Sequence, residues 1–141
     1  MKQAAIFVAL ALVGLNAFAG ATPSETINAF HAAIAAGDKK TVTSLLSPEV
    51  IIYESGHVER SRDEYFGHHL GADMEFAKAT KRTVVKHIEH VEGKTATVLQ
   101  ETETKGDFKG KPVKAIGVET AVLERIGGKW VIVHLHWSAR K

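Results

Sequence analysis

The sequence contains no cysteine and only three prolines among its 141 residues. The lack of cysteine excludes a disulfide scaffold, a thiolate metal site and a cysteine nucleophile. The formal net charge is only +2, and acidic and basic residues are interspersed without a long block of one sign. Because nucleic-acid-binding domains carry a basic patch or stripe, we expect no nucleic acid partner.

Residues 1–19 have the pattern of a secretory signal peptide. Lys2 precedes an apolar run of about a dozen residues, and the small residues Ala17 and Ala19 then form a signal-peptidase site. A membrane-spanning helix needs about 20 apolar residues, so cleavage is favoured over a membrane anchor. We expect cleavage after Ala19 or Ala21, export to the periplasm or the medium, and no stable membrane insertion afterwards.

The remaining residues, 20–141, have the size of one domain and show no repeat, linker or low-complexity tract. Capping residues and helical spacing of apolar residues predict three helices, over residues 22–37, 38–46 and 61–76. Runs of β-branched and aromatic residues predict strands over residues 50–54, 82–91, 95–104, 113–125 and 130–138. Gly-containing separators predict that the last four strands form an antiparallel meander. The expected class is α+β, with three helices packed on a curved, mostly antiparallel sheet.

The last predicted strand is rich in apolar residues on both faces, because side chains alternate along a strand. One face would carry Trp130, Ile132, His134, His136 and Ser138. The opposite face would carry Val131, Val133, Leu135 and Trp137. A strand of this kind is typical of a sheet covered on both sides, and the two imidazoles on one face predict a pocket. If that face is the concave one, His136 projects into the pocket, and the sequence leaves open which face is concave.

Three stretches resemble a known family. They are Ala-Phe-His-Ala-Ala-Ile-Ala-Ala-Gly-Asp at 29–38, Leu-Leu-Ser-Pro-Glu-Val at 45–50, and Gly-Gly-Lys-Trp-Val-Ile-Val-His-Leu-His-Trp-Ser at 127–138. With the order of elements, they resemble the nuclear-transport-factor-2-like superfamily, and within it the SnoaL-like and ketosteroid-isomerase-like proteins. The resemblance implies a cone-shaped fold with a pocket between helices and sheet. It implies no particular reaction, because that superfamily contains several kinds of enzyme and many non-catalytic members.

Polar and aromatic residues that would line such a pocket are the candidate ligand-binding residues. They are Tyr53, Glu59, His69, Asp73, Trp130, His134 and His136. Glu54 and Glu119 also interrupt apolar stretches, although exposure at a sheet edge is slightly favoured for Glu119. Carboxylates in an apolar cavity have a raised pKa, which suits a general base. The aspartate, tyrosine and second acid of the family's isomerases do not map onto this sequence.

A metal site is the alternative use of the same residues. His69 and Asp73 are four residues apart and share a helix face, so Asp73 would fix the tautomer of the imidazole or form an ordinary surface pair. Together with His134 and His136 they would provide nitrogen and oxygen ligands that zinc, copper or iron accepts. His57 is a further candidate ligand, whereas His31, His87 and His90 are expected on the surface.

Three functions remain open at this level. The first is an exported, non-enzymatic protein that binds a small, partly apolar ligand in the pocket. The second is a SnoaL-like enzyme of isomerase, dehydratase or hydrolase type that uses His136 with Asp73 or Glu59. The third is a periplasmic protein that binds a divalent metal ion. We also expect a homodimer formed through Val131, Val133, Leu135 and Trp137.

Overall fold

The computed structural model describes residues 20–140, so the predicted signal peptide lies outside the described residues. The helices are α1 Pro23–Ala36, α2 Lys39–Leu45, α3 Arg62–His68 and α4 Leu70–Ala79. The strands are β1 Leu46–Glu54, β2 His57–Glu59, β3 Thr80–Glu92, β4 Thr95–Phe108, β5 Lys111–Ile126 and β6 Lys129–Arg140. Over these residues, no helix has the length and apolar character needed to cross a membrane.

The first two helices begin at the capping residues that the sequence predicts. At α1, the hydroxyl of Thr22 accepts from the amide of Glu25, while the Glu25 carboxylate accepts from the amide of Thr22, which is a capping box. Gly37 ends α1 at φ 70°, a left-handed conformation that glycine adopts without strain. The carboxylate of Asp38 caps α2 by accepting from the amide of Thr41. Local sequence therefore determines both boundaries.

The predicted third helix is wrong in one respect, because the segment forms two helices. Ser61 caps α3 as expected, but the backbone at His69 leaves the helical region at φ −122° and α4 begins at the next residue. Gly67 and Gly71 on either side of the break have low helix propensity. The imidazole of His69 is also held by the carboxylate of Glu59 on β2, a tertiary contact that helical spacing does not reveal.

The six strands form one curved, mixed sheet with the order β2-β1-β6-β5-β4-β3. The meander from β3 to β6 is antiparallel, as predicted, and β1 pairs with β6 in parallel. The short strand β2 was not predicted, and it pairs antiparallel with β1. This order places the ends of β1 and β6 beside each other, next to the helices.

A β-bulge in β6 reverses the faces expected for the second half of that strand. His134 lies opposite Val122, but Ile132 lies opposite the next residue of β5, so Val133 is an extra residue in the pairing. Trp130 and Ile132 face the helices, as predicted. Beyond the bulge, each side chain points to the face opposite to the expected one.

As a result, Leu135 is fully buried in the core. Trp137 lies on the same face of the sheet, which faces the helices, and packs against the core. His134 and His136 lie on the outer face of the sheet, the face away from the helices. The prediction that His136 projects into the pocket is therefore wrong.

The core fills the space between the helices and the inner face of the sheet. Its largest fully buried side chains are Tyr65, Phe30, Ile27, Leu46, Ile52, Leu123, Ile132 and Leu135. The outer face keeps several large apolar residues in contact with solvent. These include Ile51, Tyr53, Leu99 and Val118. The apolar patch predicted as the dimer interface is therefore wrong for Leu135 and Trp137, because both residues face inward.

Candidate functional site

A cavity of about 610 Å³ lies between the helices and the inner face of the sheet. Helices α1 and α4 form one wall, and β3 to β6 with the end of β1 form the other. Its apolar lining includes Ala32, Ile34, Phe76, Ala77 and Trp137. Its charged and polar lining includes His31, Glu54, Asp73, Arg82 and Glu119. Small-molecule sites in other proteins have a similar size and a similarly mixed lining.

Glu119 is the centre of the polar wall. Its side chain is only 4% exposed, and the ring nitrogen Nε2 of His31 lies 2.7 Å from Oε2. An ionised carboxylate only accepts, so Nε2 of His31 carries the hydrogen and donates it. Nη2 of Arg82 lies 3.6 Å from the other oxygen, Oε1. The expectation that Glu119 lies at an exposed edge is therefore wrong.

Two opposing effects act on the pKa of Glu119. Burial raises it, but the charge and hydrogen bond of His31 and the charge of Arg82 more than offset this, so the net pKa lies below the usual value. Glu119 is consequently ionised at neutral pH. Its Oε1 atom is buried without a hydrogen-bond partner among the described residues. The nearest donor is Nη2 of Arg82, which forms an ion pair with this oxygen at 3.6 Å.

Arg82 connects this centre to α1 through a chain of polar side chains. Nη2 of Arg82 donates to Oε1 of Gln100 at 2.8 Å, and Nε2 of Gln100 donates to Oδ1 of Asn28 at 3.2 Å. Burial lowers the pKa of Arg82, and the charge of Glu119 opposes that effect. The guanidinium is therefore fixed in orientation from two sides.

Asp73 on α4 is the second carboxylate with an altered pKa. The hydroxyl of Tyr65 donates to Oδ2 of Asp73 at 2.7 Å, and Tyr65 itself is fully buried. Burial, helped by the negative charge of Glu54, raises the pKa of Asp73 to about 6 against the lowering effect of the Tyr65 hydrogen bond. Asp73 therefore changes between its acid and base forms close to neutral pH.

Trp137 lies between two carboxylates of the cavity wall. In the sheet, Trp137 of β6 pairs with Glu119 of the neighbouring strand β5 and with Glu54 of the neighbouring strand β1. Its ring centroid is 6.3 Å from that of Tyr65 and 6.3 Å from that of His31. Since adjacent strands are about 4.8 Å apart, the indole is close to both flanking side chains.

The structure disperses the other predicted ligand-binding residues. Asp73 is the one that lines the cavity. Tyr53 lies on the outer sheet face beside His134 and His136, with ring centroids 5.0 and 5.8 Å away. Trp130 is buried in the core near Arg125, whose guanidinium carbon lies 5.9 Å from the indole centroid. Residues that do not line the cavity are thus Tyr53, Trp130, His134 and His136.

Glu59 and His69 form a separate cluster beside α3. The buried Glu59 carboxylate accepts from Nδ1 of His69 and, at 3.1 Å, from Nδ1 of His68. The ring of His57 lies 5.6 Å from that of His69. Because Asp73 is bonded to Tyr65, the predicted hydrogen-bonded pair of His69 and Asp73 does not form.

The four predicted metal ligands are consequently divided among three places. His69 belongs to the Glu59 cluster, Asp73 to the cavity, and His134 and His136 to the outer face. Within residues 20–140, no group of three or more histidine, aspartate or glutamate side chains has an arrangement that would hold a metal ion.

Sequence reasoning missed His31 and Arg82 as site residues. His31 was expected on the surface, yet its imidazole side chain is only 21% exposed and contacts Glu119. One signal was present, since His31 follows Phe30 on the apolar face of α1 and lies within one of the stretches resembling the family. Arg82 gave no comparable signal, because it is the third residue of a strand with many alternating charges.

Comparisons with known proteins agree with this architecture. The family model described as SnoaL-like domain matches residues 24–140. A ketosteroid-isomerase-like protein from Shewanella frigidimarina is 36% identical, with a TM-score of 0.80 over 85% of this chain and 97% of that one. A comparison with curated proteins finds no match.

Two more distant structures show the fold alone. The CaMKII hub of S. rosetta is 22% identical, with a TM-score of 0.71 over 85% of this chain and 98% of that one. A nuclear transport factor 2 superfamily protein from Salmonella enterica is 23% identical, with a TM-score of 0.71 over 83% of this chain and 87% of that one.

Proposed function

The chain belongs to the SnoaL-like domain family, and on that premise we propose that it binds a small, partly apolar ligand in the cavity between helices and sheet. The observation that carries the proposal is the cavity of about 610 Å³ with an apolar lining and one charged wall. Ligand sites in proteins have this size and composition. Binding alone, without a reaction, is sufficient to account for it.

The charged wall supports recognition because it is rigid before a ligand arrives. Glu119 is held by His31 and lies 3.6 Å from Arg82, and Arg82 is held in turn by Gln100. Such preorganised groups orient a ligand at a small entropic cost. The ligand's apolar part would pack against Ile34, Phe76 and Ala77.

Native mass spectrometry tests the proposal directly. The untagged protein would be incubated with a small-molecule extract and sprayed under non-denaturing conditions. We expect a retained ligand mass that is lost in Ala32→Trp, which fills the cavity from α1. The matched control is Ala36→Trp, an exposed site on the same helix that does not line the cavity. Retention of equal amounts by both variants would contradict the proposal.

Acid-base catalysis is the second candidate function, and Asp73 is the observation that favours it. Its carboxylate lines the cavity, and its pKa of about 6 permits it to accept a proton from a bound substrate near neutral pH. The hydroxyl of Tyr65 would hold the carboxylate in position. His136 and Glu59 have no part in this candidate, since neither lines the cavity. Asp73→Asn would abolish turnover, and turnover equal to that of the wild type would refute the candidate.

Two further proposals concern the state of the protein in the cell. We propose export to the periplasm or the medium, with removal of residues 1–19 or 1–21; the intact mass of the exported protein tests this. We also propose a homodimer formed by the outer sheet face. The exposed apolar residues Ile51, Tyr53, Leu99 and Val118 support it.

A further inference from the structure

We infer that the cavity ligand carries a protonated amine, which binds over Trp137 between the carboxylates of Glu54 and Asp73. The inference rests on the proposed binding function and narrows it to one chemical class, an apolar molecule with an ammonium group. It comes from the position of two acidic side chains, without a cationic partner among the described residues, beside one indole in the cavity.

The first step is the position of the indole. In the sheet, Glu119, Trp137 and Glu54 are direct neighbours on β5, β6 and β1, and all three line the cavity. Asp73 approaches from α4, where its hydrogen bond to Tyr65 places it near the same ring. A cation over the face of a tryptophan is attracted by the ring, and nearby carboxylates add to the attraction.

The second step is the hydrogen-bonding state of the carboxylates. Glu119 is already compensated, since Oε2 contacts His31 and Oε1 lies 3.6 Å from Nη2 of Arg82. In the same region, Glu54 forms no ion pair with the described residues, and its charge acts on Asp73. An ammonium group has three donors and no acceptor, so it would satisfy free acceptors and relieve the repulsion between carboxylates.

The third step is the distribution of positive charge around the cavity. His31 on α1 and Arg82 on β3 both face Glu119 and offset its charge. Lys81, also on β3, is an exposed residue at the cavity rim. No ion pair within residues 20–140 connects any of these cations to Glu54 or Asp73. The end of the cavity formed by β1 and α4 is therefore negative.

Three probes of equal shape test the inference: cyclohexylamine, cyclohexanol and cyclohexanecarboxylate. Their dissociation constants would be measured at neutral pH by ligand-observed NMR titration. We expect the amine to bind at least tenfold more tightly than the alcohol, and the carboxylate to bind most weakly. Equal or tighter binding of the alcohol or the carboxylate would overturn the inference.

Variants locate the charge that recognises the amine. Glu54→Gln should weaken amine binding about tenfold, or about 1.4 kcal/mol, and leave alcohol binding unchanged. Asp73→Asn should have the same selective effect, so a folding defect in one variant does not remove the test. Glu101→Gln is the matched control, because this exposed carboxylate faces away from the cavity and pairs with Lys86. Amine affinity equal to that of the wild type in both Glu54→Gln and Asp73→Asn would contradict the inference.

The outcomes also separate this inference from the function on which it rests. Alcohol binding without any preference for the amine refutes the ammonium site and leaves the cavity as a ligand site. Failure of all three probes to bind contradicts both claims.

Discussion

Nε2 of His31 lies 2.7 Å from Oε2 of Glu119, although the two residues are 88 positions apart in the chain. The pair connects α1 to β5 at the wall of the cavity. Because the carboxylate is buried, the contact both fixes one wall of the site and joins helix to sheet. Binding and stability are therefore coupled at this residue.

Glu119→Gln should destabilise the protein by about 1 to 3 kcal/mol, because it removes the charge that balances His31 and Arg82 in a buried position. The free energy of unfolding would be measured by urea denaturation at neutral pH. Glu103→Gln is the control, since Glu103 is exposed and pairs with the exposed Lys105. A loss no larger in Glu119→Gln than in this control would argue against the central role of Glu119.

Asp73 should make the stability depend on pH between about 4 and 6. Its pKa is about 6 in the folded protein, against 3.8 for an unperturbed aspartate. The folded state thus holds the proton more tightly than the unfolded state. The stabilising effect of the neutral carboxyl is fully present below pH 3.8 and is lost as the pH rises through about 6.

Asp73→Asn tests that effect, because the amide stays neutral at every pH and its oxygen still accepts from Tyr65. Each unit of pKa corresponds to about 1.4 kcal/mol, so the wild type should lose about 3 kcal/mol relative to the variant over this pH range. The measurement is the unfolding free energy of both proteins across the range. Parallel curves would show that Asp73 is not buried as a neutral acid.

His136→Gln should leave ligand binding within about twofold of the wild type, because this exposed side chain lies on the outer sheet face. Its stability should change by less than about 0.5 kcal/mol, as for most surface substitutions. His31→Gln is the contrasting variant. His31 lines the cavity, so its substitution should weaken binding. Titration of cyclohexylamine into both variants measures the difference. A larger loss of affinity in His136→Gln would contradict the assignment of His136 to the outer face of the sheet and His31 to the cavity.

Val118→Lys should convert the proposed homodimer to monomers, because it places a charge in the exposed apolar area of the outer face. Light scattering at tens of micromolar protein would give the mass of each form. Ile126→Lys is the control, since Ile126 is also exposed but lies beside the β5–β6 turn. A monomeric wild type, or an equal effect of both variants, would exclude an interface at this face.

The sequence predicted the fold well because its signals are local. Capping residues determine where α1, α2 and α3 begin, and the Gly-containing turns determine the meander. The break at His69 was missed because it depends on the contact with Glu59, which lies on another element.

The site was predicted poorly because one residue of register decides it. The bulge at Val133 reverses the second half of β6, and so His136 faces outward while Trp137 faces the cavity. The apolar pattern contained a signal for this, since Ile132 and Leu135 are three residues apart and cannot share a face of a regular strand. The pairing of His31 with Glu119 depends on the packing of α1 against the sheet, which no local pattern specifies.

Titration with N-phenyl-1-naphthylamine, an apolar dye that fluoresces when it leaves water, tests most directly whether the cavity is a ligand site. We predict saturable binding of one dye per chain in the wild type and in Ala36→Trp, with at least a tenfold weaker dissociation constant in Ala32→Trp. Equal dye binding in all three proteins, or no binding in the wild type, would contradict the account.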